Sequence, residues 1–70
     1  MEDYKIYLVE KGFSVHTVDS YLFAIRQMND RLGDEPTNEG LLAHKDWLAA
    51  HFVAKTVNLR ITAINSYLDF

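Results

Sequence analysis

The chain has no cysteine, one proline and three glycines in 70 residues. Without cysteine there is no disulfide framework and no thiolate zinc site, so the domain must hold together by packing. The lone proline, Pro36, leaves long stretches on either side free to form helices. Gly12, Gly33 and Gly40 lie too far apart to build a phosphate-cradling loop. No apolar run approaches the ~18 residues needed to span a membrane. The acidic start, Met1-Glu2-Asp3, is wrong for a signal peptide. Positive charge is also scarce: seven Lys and Arg stand against ten Asp and Glu, a net of −3. That balance argues against a strong nonspecific nucleic-acid binder.

What is present is an ordinary globular composition, 49% apolar and 24% charged. Seventy residues make a single domain, 1–70. Such a domain buries roughly 60% of the surface its unfolded chain exposes, so its stability is only a few kcal/mol. The charge is uneven. Residues 1–39 carry four Lys/Arg and eight Asp/Glu, a net of −4, whereas residues 40–70 carry three and two, a net of +1. Whatever positive surface exists lies toward the C-terminal part.

Periodicity predicts four helices, near 2–11, 14–32, 38–51 and 55–69. In the first, Tyr4, Tyr7 and Leu8 share a face and Gly12 supplies the stop. Ser14 is a natural N-cap for the second, and Gly33 ends it. Val18, Tyr21, Leu22, Ile25, Met28 and Leu32 form its apolar stripe, with His16, Ser20, Phe23 and Gln27 opposite. Phe23 is the anomaly there, a large aromatic on the polar side. Thr37 follows the break at Pro36 and caps the third helix, whose expected core face is Leu41, Leu48 and Phe52, with Ala49 allowing close approach. Gly40 weakens its first turn slightly. In the fourth, Val57, Ile61, Ile64 and Leu68 recur at helical spacing, behind a polar and locally basic front of Lys55, Thr56, Asn58, Arg60 and Thr62. There is almost no period-2 alternation, so the expected fold is all-α, a compact bundle of four helices.

Catalytic chemistry is not visible, since no nucleophile, base and electrophilic partner converge in the sequence. His44 and His51 sit seven residues apart on one helix, about 10 Å along its axis and too far for one metal without a bend. They read as surface or half-buried histidines flanking Trp47, with no metal or cofactor implied. Trp47 reads as a cover for the bundle edge next to Ala50 and His51, ahead of a partner anchor.

The segments "YLVEKGFSVHTVDSYLFAI" and "AKTVNLRITAINSYLDF" resemble the N-terminal SAM-like, or core-binding, domain of tyrosine recombinases, the phage-integrase family. The resemblance runs through Tyr7-Leu8 and Gly12, then Ser14, Thr17 and Tyr21, then Thr37-Asn38-Glu39, and finally Thr56, Asn58 and Arg60 with Ile61, Ile64, Tyr67 and Leu68 in the apolar places. It covers essentially the whole chain. It implies a SAM-like helical bundle whose second and fourth helices lie against double-stranded DNA at a recombination core site. It also implies that catalysis belongs to a separate domain of the same chain beyond Phe70, so that residues 1–70 are a fragment of a longer integrase. Other protomers on the DNA and a prokaryotic cytoplasmic location, nucleoid-associated when bound, follow from the same likeness. The implied DNA-binding set is Ser14, His16, Thr17 and Ser20 on the second helix and Lys55, Thr56, Asn58, Arg60 and Thr62 on the fourth.

Physical chemistry gives those residues work. A helix start offers free N–H groups and a favourable dipole to phosphate, Lys and Arg neutralise it, and an Asn amide reads an adenine edge. Capping is the competing role for Ser14 and Thr56, and buried back-bonding for Thr17. The sequence departs from the family at Leu22, Phe23, Leu59, Asn65 and Asp69, where many relatives carry Arg or Lys. The alternative expectation is therefore a helical protein-interaction module that docks a partner through Phe23, Trp47 and Leu59.

Overall fold

Acids at the start of α1 (Glu2–Glu10) suit the positive end of its dipole. Its end is a Schellman motif: Phe13 N–H donates to Leu8 O and Gly12 N–H to Val9 O, with Gly12 at φ +87°. Ser14 caps α2 (Val15–Leu32), its Oγ accepting from Thr17 N–H at 3.2 Å. Gly33, at φ +80°, returns its N–H to Asn29 O. Thr37 caps α3 (Asn38–His51) by accepting from Gly40 N–H at 3.0 Å. Phe52 and Val53 form the joint to α4 (Ala54–Asp69). These bounds come from a computed structural model that describes residues 2–33 and 35–70. Among those residues there is no strand, and the radius of gyration of 11.8 Å is close to the roughly 11 Å of a compact chain this long. The molecule is an all-α four-helix bundle.

The α2–α4 pairing is the most extensive of the bundle. Ala24 of α2 and Ala63 of α4 are both buried. Ala49, expected to permit close approach, is exposed. The helices pass in opposite directions. The second half of α2 meets the first half of α4 where Arg60 Nη1 donates to Gln27 Oε1 at 2.8 Å. The first half of α2 lies at the other end, where Tyr4, beside Tyr21, bonds to Ser66 and Ala63 of α4.

Leu8, Ile25, Met28, Leu48, Ala63 and Ile64 form the sealed centre of the core, with Tyr4, Val18, Tyr21, Leu22, Ala24 and Val57 around it. Leu41, Phe52 and Ile61 pack against it half-buried. Leu68, expected inside, is 47% exposed. The cause is α1, which approaches α4 on the Ala63, Ser66 and Tyr67 side and leaves Leu68 uncovered. Tyr4, Tyr7, Tyr67 and Phe70 form an aromatic cluster that pins α1 to the end of α4, with centroid distances from 5.1 to 6.1 Å. Gly40 is a packing residue, because a Cβ there would sit 3.2 Å from Thr37 Oγ1 and 3.4 Å from Leu32 Cδ2.

Candidate nucleic-acid interface

The nine expected contact residues separate into three groups. At the start of α2, Ser14 and His16 are exposed, and Thr17 and Ser20 are half-buried. Ser14 Oγ both accepts from Thr17 N–H and donates to Thr17 Oγ1 at 3.0 Å. The capping role is thus filled, and Thr17 is tied to the cap rather than back-bonded into its own helix. One of the free N–H groups of this helix start is occupied, while those of Val15 and His16 stay without an intrahelical partner.

The second group is an outward stripe on α4. Lys55, Asn58 and Thr62 recur at i, i+3 and i+7 and are all exposed. Thr62 Oγ1 donates back to the Asn58 backbone carbonyl at 2.8 Å, and the Asn58 side chain is exposed. Thr56 does not cap α4, contrary to the sequence reading. The cap position belongs to Val53, at φ −71° and ψ 156°, which offers no side-chain hydrogen bond. The first turn, Ala54, Lys55 and Thr56, therefore presents N–H groups that no side chain satisfies, next to the Lys55 cation. Thr56 itself is half-buried.

Arg60 stands alone as the third group. It is half-buried, turned toward α2 and α3 rather than along the Lys55 stripe. Its guanidinium lies 4.2 Å from the Phe52 ring centroid and 5.0 Å from that of Phe23, and it donates to Gln27. This explains the anomalous Phe23, which is 53% exposed yet serves as one wall of a cation–aromatic contact. Phe23 and Gln27, on the side of α2 opposite its apolar stripe, thus have a partner within the bundle.

The starts of α2 and α4 do not make one continuous face. Counted from the Arg60–Gln27 contact, α2 begins about 18 Å away in one direction and α4 about 9 Å away in the other, at 1.5 Å per residue. The antiparallel pairing places them at opposite ends.

His44 is a further correction. Read as a surface or half-buried residue, it is 1% exposed. Its Nδ1 accepts from Arg31 Nε at 3.1 Å, which fixes a neutral ring whose buried Nε2 has no partner. Burial, and then the charges of Arg31 and Arg60, push its pKa below the ordinary value. Trp47 is half-buried and stacks between His44 and His51, at 5.7 and 4.9 Å, with Arg31 over its face at 4.0 Å. Nothing in the spacing of the sequence marks the Arg31–His44 pair, which spans two helices.

Among the described residues no helix is long and apolar enough to cross a membrane. No family model, no curated protein and no solved structure matches the chain.

Proposed function

We propose that this chain is a DNA-binding module of the core-binding type, which holds duplex DNA at a recombination site while a catalytic domain elsewhere in the parent chain carries out strand exchange. The observation that carries the reading is the stripe Lys55, Asn58 and Thr62 at the uncapped start of α4. It combines a cation for phosphate, an amide for a base edge and a helix N-terminal field in one exposed row. The resemblance of the residue pattern to that of the phage-integrase family supports the same assignment. The reading carries with it a cytoplasmic, nucleoid-associated location and dependence on the rest of the parent protein for affinity.

The competing function is a helical protein-interaction module, favoured by exposed Phe23 and Leu59 and by the net charge of −3. An NMR titration with duplex DNA separates the two. Shifts at residues 54–62 support the DNA-binding module. A titration that leaves these amides unmoved at low salt overturns it and transfers the assignment to the interaction module.

A further inference from the structure

Two of the three arginines of the sequence, Arg26 and Arg31, line one groove, and the third, Arg60, packs on its edge. The groove measures about 390 Å³ and follows the second half of α2, lined by Phe23, Arg26, Gln27, Asp30 and Arg31. Arg60 joins it from α4 by lying over Phe23 and donating to Gln27. None of the four lysines lines it.

The contacts of two of these arginines are with uncharged groups. Arg31 rests on Trp47 and donates to the neutral ring of His44, and Arg60 rests on Phe52 and donates to an amide oxygen. Aromatic faces fix the plane of a guanidinium while leaving its N–H edge available, and they do not cancel its charge. Among the described residues the lining holds Arg26, Arg31 and one acid, Asp30, a net of +1, and Arg60 beside it brings the local net to +2 on a chain of net −3. Arginine forks set in place beforehand match the paired oxygens of a phosphate better than lysines do.

We propose that this groove is a phosphate-binding site, and that its occupant is a backbone phosphodiester of duplex DNA, a choice of ligand that rests on the DNA-binding reading above. The electrostatic anchor of the module then lies where α2 and α4 pass each other, between the two helix starts. The Lys55 stripe reads the duplex from one side of that anchor. His44 and Trp47 orient Arg31 from beneath.

The test follows the arginine Nε–Hε signals of the labelled chain by NMR during separate additions of random-sequence duplex and sodium pyrophosphate, with salt titrations of the variants. Duplex and pyrophosphate are expected to shift the same Arg26 and Arg31 signals. Arg26→Gln and Arg31→Gln are expected each to lower the slope of log K against log salt by about 0.9. Arg26 is exposed, so its substitution probes the groove without disturbing the core. Thermal melts of the Arg31 variant separate lost binding from lost folding. If duplex moves only residues 54–62 and neither variant changes the slope, the groove is overturned and the DNA-binding reading stands. If pyrophosphate alone moves the arginines and duplex moves nothing, the phosphate site stands, its assignment to DNA is overturned, and the DNA-binding reading falls. If neither ligand moves the arginines, the groove is overturned.

Discussion

Ile64 has no exposed surface and sits where α4 packs on the rest of the core. Ile64→Ala leaves a void there and is expected to cost about 2–5 kcal/mol, a large share of the stability of so small a domain. Urea denaturation measures it, and a loss below about 1 kcal/mol contradicts the packing described. His44 gives a residue-scale prediction with a sign. In the unfolded chain it binds a proton near its ordinary 6.5, whereas burial and the two arginine charges hold the folded ring neutral to lower pH. Over that interval the unfolded state carries more protons. Stability from this residue is complete above about pH 6.5 and is lost as pH falls toward the lowered folded value. His44→Gln removes the titration, so denaturation midpoints taken at about pH 7.5 and about pH 5.5 should differ less in the variant than in the parent chain. An equal difference in both assigns the acid sensitivity elsewhere.

At the scale of elements, the helix ends are unequal. The four starts and stops with polar or glycine signals, Ser14, Thr37, Gly12 and Gly33, were legible, because caps are local and act within a few residues of themselves. The capping residue of α4 was not, since a threonine at position 56 reads as a cap until the fold puts Val53 there. Val53 is 71% exposed in extended conformation, so Val53→Asp loses no packing and adds an acceptor for the first-turn N–H groups. It is expected to stabilise the fold by about 0.5–2 kcal/mol. On the DNA-binding reading it also weakens duplex binding, because the aspartate takes the place of a phosphate. Stabilisation with undiminished DNA affinity contradicts a role for this helix start. Gly33→Ala acts the other way: φ is +80° and ψ −173°, a region that side chains rarely enter, and the expected cost is about 1–3 kcal/mol by thermal melting.

For the whole molecule, the net charge of −3 opposes association with a polyanion, and the positive groups are few and local. Isolated, the chain is expected to bind random duplex no tighter than about 10⁻⁴–10⁻⁶ M at physiological salt. Lys55→Ala should weaken this uniformly across sequences and lower the salt slope by about one unit. Nanomolar binding by the monomer in a salt titration contradicts the charge argument. The three-way division of the candidate residues is also a property of this scale. Antiparallel passage of α2 and α4 parts their starts, and Arg60 leaves the polar row because Phe23, Gln27 and Phe52 converge on it from elsewhere in the chain.

The sequence alone determined the number of helices, their approximate limits and most of the core, because apolar spacing, caps and glycine stops are short-range signals with a direct steric cause. It marked Leu8, Val18, Tyr21, Ile25, Leu48, Val57 and Ile64 as interior, and they are buried. Tertiary structure decided the rest. It exposed Leu68 and buried Ala63, because the angle at which α1 meets α4 is set by packing rather than by periodicity. It buried His44 against Arg31, and it set Arg60 of α4 beside a groove lined by Arg26 and Arg31 of α2. Each of these depends on which helix faces pair, and pairing is a contest among several similar apolar stripes that is settled only when all four helices pack together.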